Sequence, residues 1–209
     1  MADEAHDMLI KRPDRKVRPR PHALTPMKTF EQFRVLLSPA RVEIYEFLQA
    51  VAPCSVAELA AVSGRPADGL YPHLRQLERI GAVEVVDREP KGRVTEAIYD
   101  LTGDDVDFDF RGRKKLGDKV ISLAAELFIR LGRTALRDAV EAGILDYEKK
   151  NVVLRNAMTW LTDDDVVEVR KHALAIVDIL DRGRKAGKGR RYQYLQLLVP
   201  SVRPGRRQA

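Results

Sequence analysis

The segment "ADGLYPHLRQLERIGAVEV", residues 67–85, limits the possible folds more than any other part of the chain. Leu70, Leu74, Leu77 and Gly81 recur at helical spacing. With Leu70 as the buried direction and a step of about 100° per residue, all four lie within about 40° of one line. Beyond Gly81 the pattern turns from helical to extended, and "AVEVVDR" is rich in valine. The segment therefore demands a helix with one apolar face, running straight into a strand. Pro72 sits inside that pattern, where an interior proline would break the helix. The conflict is resolved if Asp68 or Gly69 caps the helix, because Pro72 then falls in the first turn. The sequence predicts a helix that begins near Asp68 and ends at Gly81.

The preceding segments are short and strongly punctuated. Thr29 and Gln32 form a capping box, which opens a helix over about 30–37. Ser38 and Pro39 open the next helix as N-cap and first helical residue, and Pro53 stops it. Ser55 and Glu58 form a second capping box, and Gly64 ends that helix. After Gly81, "AVEVVDR" and "VTEAIYDL" flank the turn "EPKGR", the pattern of a β-hairpin with a charged tip.

Three short helices followed by a hairpin make a winged helix-turn-helix, here residues 27–103. In that motif the third helix enters the major groove with its N-terminal half at the base edges. Asp68, Pro72, Arg75, Gln76 and Arg79 point away from the apolar face, and Gly69 belongs to the leading turn. Arg75 and Gln76 are the candidates for reading bases, since Arg pairs bidentately with guanine and Gln with adenine. Arg65 in the turn and Arg79 suit phosphates, and Tyr71 on the flank could reach one with its hydroxyl. Arg88, Lys91 and Arg93 surround the hairpin tip and suit the backbone. The competing reading is a solvated helix face with Tyr71 packed on the preceding helix. His73 reads as structural.

Residues 1–26 hold several prolines, many charges and no apolar period, and read as a disordered basic arm. Residues 104–112 read as an acidic linker. A long helical pattern follows, from about 113 to 142. Its stripe of Leu116, Val120, Leu123, Leu127, Phe128 and Leu131 is assigned to a dimer interface. Residues 151–161 read as a strand. Thr162 and Asp165 cap a helix to about 182 with Val166, Val169, Ala173, Ile176 and Leu180 inward, and residues 192–199 read as a last strand. Residues 201–209 form a basic tail. The expected fold class is α+β: an N-terminal winged helix-turn-helix, then a long helix and a small C-terminal α/β domain serving dimerisation or sensing.

Composition supports a polyanionic partner. The net charge is +6 and the pI about 9.5. The cations cluster at the two ends: residues 10–22 hold six Lys or Arg against one Asp, and nine lie beyond residue 181 with no acid. Such flanks suit solvated tails or sequence-independent phosphate contacts. The single cysteine, Cys54, can form neither an intrachain disulfide nor a thiolate metal site. The four histidines show no ligand spacing, so no metal or cofactor is expected. The sequence has no phosphate-binding loop or nucleophile elbow, and the chain does not read as an enzyme. No apolar run approaches a membrane span and no signal segment opens the chain, so a soluble cytoplasmic protein is expected.

"LLSPARVEIYEFL" and "VAELAAVSGRPADGLYPHLRQLERIGAVEV", with His73, Leu74, Leu77 and Gly81, resemble the core of ArsR-type winged-helix repressors. Leu70-Tyr71-Pro72 with Leu74, Leu77-Glu78 and Gly81 is more similar to PadR-type regulators. "AIYDLTGD" resembles the strand that closes the wing in both. The resemblance covers about residues 35–103. It implies a DNA-binding transcriptional regulator, commonly a homodimeric repressor on a pseudo-palindromic site. The Cys-x-Cys of ArsR metal sensors would fall within "VAELAAV", so metal sensing does not carry over. The alternatives are a protein-interaction module in a larger assembly, or a regulator whose C-terminal half senses a small molecule.

Overall fold

A computed structural model of the chain describes residues 15, 20, 22–186 and 191–200. The chain divides into two units, Met1–Leu127 with Asp178–Arg190, and Phe128–Val177 with Arg191–Ala209.

The first unit is built on four short helices: α1 (Phe30–Leu36), α2 (Pro39–Val51), α3 (Val56–Ser63) and α4 (Ala67–Arg79). Local chemistry sets most of their ends. Both expected capping boxes form, Thr29 with Gln32 and Ser55 with Glu58. Ser38 stands at the N-cap of α2 without a side-chain hydrogen bond, and Pro39 opens the helix. Gly64, at φ 69°, closes α3 in the left-handed conformation that glycine adopts most cheaply. At the end of α4 the Ala82 N–H donates to the Leu77 carbonyl and the Gly81 N–H to that of Glu78, a complete Schellman motif. The Gln32 amide also donates to the Ile80 carbonyl at 3.2 Å, tying α1 to that terminus.

A three-stranded antiparallel sheet follows, in the order β2 (Cys54–Ser55), β4 (Val94–Leu101), β3 (Val83–Lys91). Lys91 pairs with Val94, so the hairpin tip is only Gly92 and Arg93, tighter than the turn expected over "EPKGR". Gly92 supplies φ 62° at the first central position. Pro90 lies on β3, the edge strand, where a missing N–H is tolerated. The core gathers Phe33, Ile44, Leu48, Leu59, Leu70, Leu74, Leu77, Ile98 and Leu101.

Two stretches depart from the sequence reading in this unit. The C-terminal end of the expected arm is a strand, β1 (His22–Thr25), while residues 1–14, 16–19 and 21 lie outside the described residues. The expected acidic linker begins with its partner, β5 (Gly103–Val106), and the two pair in parallel. The apolar residues at and beyond the end of β5 anchor the segment. In "DDVDFDF" the apolar residues stand every second position. Val106 is buried, and Phe108 and Phe110 pack on Phe33 with ring centroids 5.6 and 5.5 Å away. Thr25 is fully buried, and its hydroxyl meets that of Thr102 at 3.2 Å.

The long helix, α5 (Lys114–Glu141), carries two apolar faces. Gly117, Val120, Ala124 and Leu127 are buried. Ile129, Leu136 and Val140 are exposed, on a stripe more than 100° away. The stripe that the sequence assigns to a dimer is the first of these. Val120 and Leu127 are already covered in the single chain, and Leu116, Leu123, Phe128 and Leu131 are half-buried.

In the second unit, residues 151–162 and 191–200 hold no regular secondary structure, so the expected strands 151–161 and 192–199 do not form. A strand needs a neighbour to pair its backbone groups, and the chain supplies none there. The last helix among the described residues, α6 (Asp163–Ala186), begins in the second unit and runs into residues of the first; it is capped by Thr162 with Asp165 as expected. Of its expected inward face, Val166, Val169 and Ala173 are half-buried, and Ile176 and Leu180 are exposed.

Gly103 gives a test of the β1–β5 pair. A Cβ there would stand 2.5 Å from the Thr25 backbone nitrogen and 2.8 Å from the Leu24 carbonyl carbon. Gly103→Ala is expected to destabilise the protein by about 1–3 kcal/mol, read as a lower midpoint in urea denaturation. An unchanged midpoint would show that the pair contributes nothing to stability.

Candidate nucleic-acid interface

Three residues, Gly64-Arg65-Pro66, separate α3 from α4. Pro66 is the N-cap of α4 and offers no side-chain hydrogen bond. The helix starts at Ala67, ahead of the start expected from Asp68 or Gly69 as cap. This changes the position of Pro72, which becomes the sixth helical residue, inside the helix and past its first turn. Its nitrogen cannot donate to the Asp68 carbonyl, so the ladder lacks one rung near the exposed end of α4.

Leu70, Leu74 and Leu77 are fully buried, which fixes the rotation of α4 about its axis. Asp68, Gly69, Tyr71, Pro72, Arg75 and Arg79 are exposed, and Gln76 is half-buried. Tyr71 is 39% exposed, so packing on α3 does not consume it. The Arg75 guanidinium donates to the Tyr71 carbonyl of its own helix at 3.4 Å. One outward face thus collects these candidates from the sequence.

Other candidates are engaged within the chain. Arg65 is half-buried and pairs with Glu43 of α2 at 2.5 Å. Lys91 pairs with Glu96 across the hairpin at 2.9 Å. Arg88, Lys91 and Arg93 are all exposed on the hairpin. Exposed or half-exposed pairs of this kind contribute little to stability, so an anionic partner can displace the carboxylate at small cost.

Two cations escaped the sequence reading. Arg41 of α2 has its pKa lowered by burial, and the nearby charges of Arg34 and Arg79 lower it further. His73 is also lowered, by burial first and then by Arg41 and Arg65, which favours its neutral form. Arg34, Arg41, Arg65 and Arg79 therefore lie within electrostatic reach of α4 or its flank, although they come from four separate stretches of sequence. No spacing in the sequence signals this, because packing of helix on helix brings them together. Arg34 is shared with Glu31 at 2.8 Å.

Arg15 belongs to the same side of the molecule by contact. Its guanidinium donates to Glu89 of β3 at 2.6 and 2.7 Å and to Glu58, the capping residue of α3, at 2.5 Å. These bonds hold the Glu89 carboxyl below the usual range. Arg20 likewise joins the buried Asp100 at 3.2 Å to Asp104 at 2.6 Å. Part of the basic segment is thereby fastened along the sheet.

A family model described as a helix-turn-helix domain matches residues 36–86, which run from the end of α1 into β3. No curated protein matches the chain. The chain carries a helix-turn-helix domain in its N-terminal half, within a mixed α and β fold. No helix among the described residues is long and apolar enough to cross a membrane.

The placement of Pro72 predicts a stability gain on its removal. Pro72→Ala restores the hydrogen bond to Asp68 and is expected to stabilise the protein by about 1–3 kcal/mol. Thermal unfolding reads the change as a higher midpoint, and a lower midpoint would contradict the assignment of Pro72 to the helix interior.

Proposed function

We propose that the protein is a sequence-specific double-stranded DNA-binding transcriptional regulator, acting as a homodimeric repressor. In this reading α4 lies in the major groove and the β3–β4 hairpin is the wing against the backbone. The observation that carries it is the division of α4 into a fully buried leucine face and an outward face bearing Arg75, Gln76 and Arg79, within a matched helix-turn-helix domain. Arg75 and Gln76 read base edges, since their planar groups pair bidentately with guanine and adenine. Arg65, Arg79, Arg88, Lys91 and Arg93 take phosphates, with Arg34 and Arg41 adding to the field. Asp68, Gly69, Tyr71 and Pro72 form the leading end of α4. On binding, Arg65 and Lys91 exchange Glu43 and Glu96 for phosphate oxygens. A two-fold dimer places two copies of α4 in successive major grooves, about 34–36 Å apart, on a pseudo-palindrome. Repression follows from occupying that site.

The test is selection of genomic fragments by the full-length protein at several salt concentrations. Enrichment of one short inverted repeat is expected. Binding that is only salt-labile and blind to sequence would defeat the proposal, and no binding would favour a protein-interaction module. Two variants separate the roles. Arg75→Ala is expected to relax specificity at one base pair, at a cost of about 1–3 kcal/mol for the preferred base. Lys91→Ala is expected to weaken all sequences about equally and to reduce the salt slope by about 1. Identical behaviour of the two variants would contradict the assignment.

A further inference from the structure

The second unit leaves its apolar side chains uncovered. Trp160 is 84% exposed, Met158 89% and Leu154 84%. Tyr192, Leu197 and Val199 are each more than half exposed. The outer stripe of α5 and much of the apolar surface of α6 add to this. About 20 such side chains, each leaving on the order of 100 Å² open, amount to roughly 2,000 Å² per copy. That sum is of the size an obligate homodimer buries.

The pattern within these segments is specific. Residues 192–199, "YQYLQLLV", hold no charge, and residues 151–161 hold one, Arg155. In "YQYLQLLV" Tyr192, Tyr194 and Leu198 alternate with Leu195, Leu197 and Val199, so apolar groups fall on both faces. Such a run suits a strand with a neighbour alongside and cover above and below. A solvent-facing edge would carry charge to prevent pairing. The chain contains two such segments, and they do not pair with each other. Two strands are marginal alone, whereas a sheet of three or more with an apolar face is stable. Two copies supply four.

We infer that residues 151–161 and 192–199 are strands of one sheet completed by a second copy of this chain, with Ile129, Leu136 and Val140 of α5 and Val167, Leu174 and Val177 of α6 as its cover. The sheet forms on dimerisation, and the interface is isologous, each copy giving the same segments that it receives. Leu195 already rests on α5, with a side-chain carbon 3.8 Å from the position of a Cβ on Gly132. This inference rests on the homodimer reading above and replaces its interface: the shared core is the sheet, and the buried stripe of α5 stays within one copy.

Trp160 is the only tryptophan in the chain and reports directly on that core. The unmodified full-length protein is diluted through its dissociation range while mass is read by analytical ultracentrifugation. Acrylamide quenching of Trp160 and the amide I infrared band are followed in parallel. The expected result is a species of twice 23.7 kDa in which Trp160 is shielded. Quenching should rise at least about three-fold as the dimer dissociates, and the β component of the infrared band should fall with it. A dimer with Trp160 freely quenched overturns the shared sheet and leaves the homodimer standing. A chain that stays monomeric at all concentrations overturns both. Trp160 shielded equally in the monomer overturns the inference, since the cover would then come from within one copy. Leu197→Pro, which removes a ladder donor, is expected to raise the dimer dissociation constant at least 100-fold. The helix-turn-helix unit should keep its helical circular dichroism, and an unchanged dissociation constant overturns the placement of residue 197 in the sheet.

Discussion

The burial of Leu70, Leu74 and Leu77 is the constraint on which the rest of the site depends. Fully burying each of these side chains contributes about 1.5–3 kcal/mol, so together they hold α4 in one rotation about its axis. Every statement about what α4 presents outward follows from that rotation. A turn of the helix by one residue, about 100°, would bring Arg75 into the core and a leucine to the surface. The core therefore selects which side chains meet a partner. The capping boxes of α1 and α3 and the Schellman motif of α4 support it by closing the helix ends that this packing brings together.

The charges follow a second rule. Several cations near the site already hold carboxylates. Arg65 rests on Glu43, Lys91 on Glu96, and Arg15 on Glu58 and Glu89. Partly exposed pairs are weak in water and weaker in salt, so they orient the side chains without locking them. In the proposed reading a polyanion would compete for the same cations over many contacts at once, and the release of its counterions would favour the exchange.

How much was legible in the sequence depended on how local the determinant was. The capping boxes, the stop at Gly64, the leucine face and the hairpin all read correctly, because each is set by residues within a few positions of one another. Pro72 signals a cap at Asp68 or Gly69, two or three residues beyond the actual cap at Pro66, because the packing of Leu70 and Leu74 carries the helix through the proline. The β1–β5 pair leaves little mark in the sequence, because β5 is mostly acidic and His22–Thr25 gains a partner only from about 80 residues away. Arg34 and Arg41 carried no signal, as only tertiary packing brings them toward α4. Residues 151–161 and 192–199 show strand patterns without strands, because a two-residue period sets which face is apolar but does not supply a neighbour to pair with.

The central proposal is that the outward face of α4 meets base pairs. A photo-activated crosslinker placed at Gln76 of the full-length protein, bound to its selected duplex, measures this at residue level. The account predicts covalent attachment to bases, confined to the conserved positions of each half-site and lost when the duplex is replaced by one of scrambled sequence. Tight, sequence-selective binding with no attachment from residue 76 to any base would contradict it, because α4 would then be oriented away from the groove it is held to read.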